Sequence, residues 1–317
     1  MNARTVNKVW TGIFYAVAAL VVALLVFLVF EILQKGWGFW DPNFLFGEPS
    51  NTRAGGGIGP QLFNSFYMLV ITLIISIPLG LGAGIYLAEY AKQGRFLNFV
   101  RLCIETMASL PSIVVGLFGL LVFVTMTGWG YTVMGGALAL TILNLPGLTR
   151  VCENAISEVP QNVKEASLGL GATKWQTIAR IIIPSSLPQI ITGIILAAGR
   201  IFGEAAALIY TAGLTSPILN SAADFSSPAH PLNPFRPAET LAVHIWKLNS
   251  EGVIPDAKLI ATKSAAVLII MVLLFNVISR LIASILHKRF TGTKRKSKTT
   301  KKGKSGINYK EELSIYK

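Results

Sequence analysis

Apolar residues are gathered into six long blocks along this chain, separated by polar or glycine- and proline-rich segments. The blocks cover about residues 11–33, 63–90, 108–127, 132–151, 188–212 and 262–286. A helix needs roughly 20 mostly apolar residues to cross a bilayer core. Each block therefore predicts one membrane-spanning helix, and together they predict an all-α membrane protein with six spans. The first block, TGIFYAVAALVVALLVFLVFEIL, is too long for the apolar core of a signal peptide. No small-x-small cleavage site follows it in EILQKGWGFW, so it reads as a retained span.

The blocks are not uniform rods. The second carries Asn64, Ser65, Thr72, Ser76 and Pro78, followed by the small run Gly80, Gly82, Ala83, Gly84. The third opens with SLPSIVVGLFG, which places Pro111 near its start and Gly116 and Gly119 three apart. The fourth has Gly135 and Gly136 at one end and Asn144 and Pro146 near the other. Small residues let helix backbones approach, and prolines free carbonyls that need partners inside a bundle. Tight packing and a polar, kinked pathway lining both fit these features. The segment 214–261, with SSPAHPLNPFRPAE, is longer than a turn requires. Its stretch LAVHIWKL suits a short interfacial helix, and no residue of the loop acquires a chemical role from its context.

Composition strengthens the membrane reading: 52% of residues are hydrophobic, 14% are charged, and the mean hydropathy is +0.58. The net charge of +13 is concentrated in residues 287–317, where eleven Lys/Arg face two Glu. Such a basic run is disordered in isolation and attracted to anionic lipid headgroups. Beside six spans it argues for lipid as its partner and against nucleic acid. Lys and Arg also set orientation. Segments 1–10, 91–101, 150–189 and 287–317 hold 20 of them and the intervening loops hold 6, which predicts a plasma-membrane protein with both termini cytoplasmic. Cys103 and Cys152 then lie near the cytoplasmic side, where a disulfide does not persist. His230, His244 and His287 have no ligand spacing, so no metal site is expected. No nucleophile motif and no phosphate-binding glycine–lysine loop appears. The chain is thus expected to be a transport subunit and not an enzyme. If ATP drives it, another chain binds the nucleotide and its magnesium.

Between the fourth and fifth blocks lies SEVPQNVKEASLGLGATKWQTIARIIIPSSLPQ. Pro160 suits the first turn of a helix that Gly169 and Gly171 end. Thr173 and Gln176 form a capping box for a second helix. Trp175, Ile178, Ile181 and Ile182 give that helix an apolar face, and Pro184 and Pro188 are expected to close it. Such a helix pair either packs under its own bundle or docks a cytoplasmic partner.

The same stretch resembles the EAA motif of ABC-transporter permeases, E-A-A, three residues, G, nine residues, I-x-L-P. Here Glu165, Ala166 and Ser167 are followed by Gly171, then by Ile181, Ile182, Ile183 and Pro184; the departures are Ser167 for alanine and Ile183 for leucine. The flanking stretches GGGIGPQLFNSFYMLVITLIISIPLGLGAGIYLAEYA, LPSIVVGLFG, KEASLGLGATKWQTI and GRIFGEAAALIYTAG look like the PstA-type permeases of phosphate ABC importers. The resemblance covers roughly 55–286. It implies a type I, MetI-like importer bundle with cytoplasmic coupling helices in 158–184. Glu165, Ala166, Gly171, Ile181 and Pro184 would then couple to an ATPase. The implied partners are a PstC-type permease, a PstB-type ATPase dimer and an external phosphate-binding protein. The expected organisation is a cytoplasmic tail at 1–10 and a first span with its outer loop at 11–62. The permease domain follows at 63–286, and the basic tail at 287–317.

The fifth block contains AAGRIFGEAA, where Arg200 and Glu204 stand one helical turn apart and should share a face. Each mid-span charge costs about 2.5–3.5 kcal/mol on insertion scales. An i,i+4 pair returns only about 0.2–0.5 kcal/mol in an isolated helix. The pair therefore does not offset its own insertion. It is either a structural ion pair at a subunit interface or part of a substrate pathway. A guanidinium offers a planar fork of donors that suits phosphate oxygens, and Glu204 would tune that arginine. The resemblance places both residues on the pathway. A different oxyanion remains an alternative substrate, and an ion-coupled secondary carrier an alternative class.

Overall fold

The computed structural model describes residues 3–50, 54–252 and 254–291. Twelve helices follow one another: α1 Ala3–Lys35, α2 Pro42–Phe46, α3 Gly59–Ile85, α4 Arg95–Ala108, α5 Ser112–Gly119, α6 Val133–Ser157, α7 Gln161–Gly169, α8 Lys174–Thr177, α9 Ile183–Gly203, α10 Ala206–Ile209, α11 Leu241–Ser250 and α12 Ala257–Thr291. Three wider π-helical turns extend them: Tyr86–Tyr90 after α3, Leu120–Met126 after α5, and Ile178–Ile182 joining α8 to α9. No strand occurs among the described residues.

Five continuous helices are long and apolar enough to cross a bilayer. Helices α4 and α5, with the π turn that follows, reach the length and apolarity of a sixth span only when taken together, and they meet at a bend of 96°. The third block, expected at 108–127, forms the helical stretch Ser112–Met126, and the bend falls at its edge, where α4 precedes it. Pro111 takes an extended conformation (φ −60°, ψ 137°) as the cap of α5, so α4 cannot run on into it. Helix α12 continues to Thr291, five residues into the stretch expected to be a tail. The rest of that basic run lies outside the described residues.

The bundle is centred on α3, α6 and α9. Met68, Leu69, Leu140, Leu143, Ala198, Ile201 and Phe202 form its main buried cluster. Gly80 and Gly84 lie on the face of α3 that meets α6. A Cβ at Gly84 would stand 2.5 Å from Cys152 Cβ and 2.9 Å from the Glu153 backbone nitrogen, so here the small run serves close approach of two backbones. The segment LAVHIWKL becomes α11, and Leu241, Ala242, Val243 and Leu248 are buried against α12 and α3. The expected short helix thus forms, with one face packed into the protein and Trp246 exposed on the other.

Gly84 and Gly82 separate packing from mere composition. Gly84→Ala should destabilise the bundle by about 1–3 kcal/mol, the range for overpacking. Gly82→Ala has nothing within 4 Å of the added carbon and should be neutral. Thermal denaturation of the two purified variants in detergent checks the difference.

Candidate functional site

The fifth span is interrupted. Helix α9 ends at Gly203, Glu204 is extended (φ −77°, ψ 126°), and helical structure resumes in α10 at Ala206. The interruption lies deep in the bundle. Phe202 meets Phe66 edge-on at 5.1 Å and Phe275 at 5.4 Å. It shares a cluster with Met68, Leu140 and Leu143. Those three residues sit about 10–15 Å inside the ends of α3 and α6, at 1.5 Å per residue. That depth places the break inside the bundle and away from the ends of its helices. Irregular backbone at such depth persists only where protein buries it or where it lines a water-filled cavity.

Past the break, the chain climbs between α5 and α6. A Cβ at Gly116 would lie 2.8 Å from Ala207 Cα, and one at Gly119 would lie 2.6 Å from Thr211 Cγ2. The Thr132 N–H donates to Thr211 O at 3.1 Å, and Ala238 N–H to Ala212 O at 3.0 Å. The glycines of the third and fourth spans are the floor on which this second half of the broken span rests.

Arg200 and Glu204 do not form the pair their spacing suggests. Residue 204 has left the helix, so the shared face is lost. The Glu204 Oε1 instead accepts from the Ala207 backbone N–H at 3.3 Å. Arg200 lies in the last turn of α9, where the unpaired carbonyls of a helix end favour a cation. Its side chain is exposed and has no hydrogen-bond or ion-pair partner among the described residues. A lone guanidinium three residues from a mid-bundle break is positioned to meet an anion or another subunit.

The loop at the other end of α9 follows its sequence closely. Pro160 caps α7, and Gly171 takes φ +85°, a conformation only glycine adopts without strain. Thr173 and Gln176 make both bonds of the capping box, at 2.9 and 3.3 Å. Ser167 Oγ and Thr177 Oγ1 lie 2.9 Å apart in a buried contact that fastens α7 to α8. Pro184 and Pro188 do not end the second helix, which runs unbroken over Lys174–Gly203. The π turn just before Pro184 shifts the bonding register, and Pro184 falls in the first turn of α9, where its missing N–H costs little.

The apolar face of that second helix divides. Ile178 and Ile182 are buried with Ile156 and Val159 beneath the bundle, and Ile181 and Pro184 are half-buried. Trp175 is 60% exposed and Leu170 90% exposed, while Glu165, Ala166 and Gly171 also face outward. Leaving a large apolar side chain in water forgoes about 1.5–3 kcal/mol. This outward set is suited to a protein surface.

The loop that the sequence left without a role contains a buried polar network. Arg236 is fully buried and donates to Asn64 Oδ1 (2.7 Å), Pro231 O (2.9 Å) and Pro237 O (3.2 Å). Burial pushes its pKa down to about 10, so it stays cationic at neutral pH. Asn64 in turn donates to Glu239 O at 3.0 Å, and Gln61 Nε2 to Glu239 Oε2 at 3.0 Å. His244 Nδ1 lies 3.1 Å and Lys247 Nζ 3.6 Å from Glu239 Oε1. The hint in the sequence is the polar start of α3, with Gln61, Asn64 and Ser65 close together. Their partners lie more than 150 residues away.

Comparison with known proteins adds the following. The model of the family described as binding-protein-dependent transport system inner membrane component matches residues 80–292. A probable ABC transporter permease protein, YqgI of Bacillus subtilis, is 53% identical over 92% of this chain and 99% of its own length. The phosphate transport system permease protein PstA of Haemophilus influenzae is 30% identical over 88% of this chain and 94% of its own. Among solved structures, a bacterial ABC transporter involved in import of the polysaccharide alginate aligns with a TM-score of 0.60 at 14% identity. It covers 89% of this chain and 97% of that one. The MetNI methionine transporter aligns with a TM-score of 0.52 at 18% identity, over 73% and 94%. These structural likenesses speak to the fold.

Arg236 and Arg200 should respond differently to loss of charge. Arg236→Met leaves several buried acceptors without a donor, at about 1–3 kcal/mol each. It should lower the melting temperature of the purified protein markedly. Arg200→Met removes no partner and should leave the melting temperature nearly unchanged.

Proposed function

The chain belongs to the family of binding-protein-dependent transport system inner membrane components, and from that premise we propose that it is the PstA-type permease of an ATP-driven phosphate importer. It is a multi-pass membrane subunit of an ABC importer, and phosphate is the specific reading. One observation carries that reading: Arg200 stands exposed and unpartnered beside a helix break at mid-bundle depth. Interrupted helices at bilayer mid-depth are where transporters commonly place substrate sites. Phosphate near neutral pH carries one to two negative charges, and a guanidinium can offer it two parallel donors. The names of relatives such as the Haemophilus influenzae PstA support the same substrate.

In this reading Arg200 holds phosphate transiently during its passage. Glu204, tied to the Ala207 N–H, sets the shape of the break. It also supplies a nearby negative charge that keeps the anion from being held too tightly. The outward residues of 158–184, with Glu165, Ala166 and Gly171 exposed and Ile181 and Pro184 behind them, dock a PstB-type ATPase. That subunit binds ATP and magnesium, and the chain itself needs no cofactor. A PstC-type permease completes the pathway, an external phosphate-binding protein delivers the substrate, and both termini face the cytoplasm.

Arg200→Lys keeps the charge and loses the fork. Phosphate uptake by the assembled complex in proteoliposomes should fall roughly tenfold or more, equivalent to about 1.4 kcal/mol of recognition. Glu204→Gln should do less damage. Uptake per assembled complex unchanged in Arg200→Lys would contradict the pathway role. Undiminished uptake of a different oxyanion, with none of phosphate in the parent, would contradict the substrate.

The docking role is tested separately at Gly171. Gly171→Val forces a β-branched residue to φ +85°. The variant should insert but no longer co-purify with the ATPase. Normal co-purification and normal transport would show that the loop does not dock it.

A further inference from the structure

The end of the second span is held by the docking loop through one carboxylate. Glu89 lies in the π turn Tyr86–Tyr90, and its Oε1 accepts from Lys164 Nζ of α7 at 2.6 Å. Both side chains are nearly buried, 11% and 12% exposed. From the next helix, Lys174 Nζ donates to the backbone carbonyl of the same Glu89 and stands 4.7 Å from the centre of the Tyr90 ring. Two lysines, one on each helix of the loop, thus grip a single residue of the second span.

The grip sits beside an unusual piece of backbone. The π turn at 86–90 closes on Ala91 N–H to Tyr86 O at 2.8 Å. A second π turn, Ile178–Ile182, joins the loop to α9. Ile178 and Ile182 of the latter pack in the cluster that includes Leu81, Ile85 and Ala88 from the former's flank. Wide turns of this kind lie where a helix can shift register at modest cost, and they gather at functional positions. A buried ion pair adds little net stability over apolar packing, so its retention here calls for another explanation.

We infer that Glu89 is a positioning residue: it transmits movement of the docked loop to the second span, with Lys164 and Lys174 as the grip and the paired π turns as the hinge. The inference rests on the docking role proposed above for residues 158–184. Movement of the loop would draw on α3 through Glu89 and on α9 through the continuous helix 174–203. The two spans would then shift together.

The test uses the whole complex, with Cys103 and Cys152 replaced by serine and an environment-sensitive fluorophore on Leu79→Cys. Leu79 lies on an exposed face of α3. In the parent, adding ATP should shift the fluorescence. In Glu89→Gln the ATPase should still co-purify in parent amounts, while the ATP-dependent shift falls at least about fivefold. Lys164→Arg, which keeps the charge, should retain the shift. A purely structural role would lower the yield of complex and leave the shift per complex unaltered, and that result overturns the inference. A parent that fails to co-purify with the ATPase overturns the docking reading and this inference together, and a parent that holds the ATPase but shows no ATP-dependent shift overturns this inference alone. A full shift in Glu89→Gln overturns this inference alone.

Discussion

A helix interrupted inside a bilayer has loose backbone groups and no water to satisfy them, and the interruption at Glu204 is the constraint around which the rest of this bundle is arranged. The Glu204 carboxylate takes one loose N–H, at Ala207. Gly116, Gly119 and Gly135 lack side chains because the second half of the span lies against them. The loop beyond it is bonded to the start of α6 through Thr132, Val133 and Met134. It is then anchored to α3 by Arg236 and Asn64. The Arg236–Asn64 network is thus the far abutment of a broken span whose near half is one continuous helix.

That rod connects two sites. Lys174–Gly203 is one helix of 30 residues, about 45 Å long at 1.5 Å per residue. Trp175, on the exposed docking face, stands at one end, and Arg200 at the other. A displacement at the loop therefore reaches the break without passing through a flexible joint, apart from the π turn at 178–182. Under the proposed function, this geometry would let nucleotide chemistry in another subunit act on a substrate site in this one. It also explains why neither proline in the rod terminates it: a stop at Pro184 or Pro188 would disconnect the two ends.

Local signals were legible in the sequence. The apolar blocks, the helix start at Pro160, the glycine at 171 and the Thr173–Gln176 capping box all depend on neighbours within a few residues; the cap, the glycine and the capping box are where they were expected, and the blocks became helices with the fifth interrupted at Glu204. Features set by distant contacts were not legible. AAGRIFGEAA contains no proline, and its glycines at 199 and 203 weaken a helix without fixing where it stops. It breaks because small residues of α5 and α6, far away in the chain, accept its continuation between them. Arg236 lies 172 residues from Asn64 and was an ordinary loop arginine until the fold buried it. Glu89 was likewise one charge at the end of an apolar block, 75 residues before its lysine. The 96° bend between α4 and α5 was only half legible, because Pro111 marks where the chain turns but not how far.

The central claim is that the break at residues 204–205 lies on an aqueous phosphate path, and accessibility at the adjoining Gly203 tests it most directly. Gly203 is exposed, and a side chain added there meets nothing within 4 Å. Gly203→Cys, in the complex with both native cysteines replaced by serine, can be exposed to a membrane-impermeant, negatively charged thiol reagent. The account predicts that the reagent labels the position during turnover and that phosphate slows the labelling more than sulfate does. Labelling confined to lipid-soluble reagents and indifferent to phosphate would place the break against lipid or protein, and would contradict it.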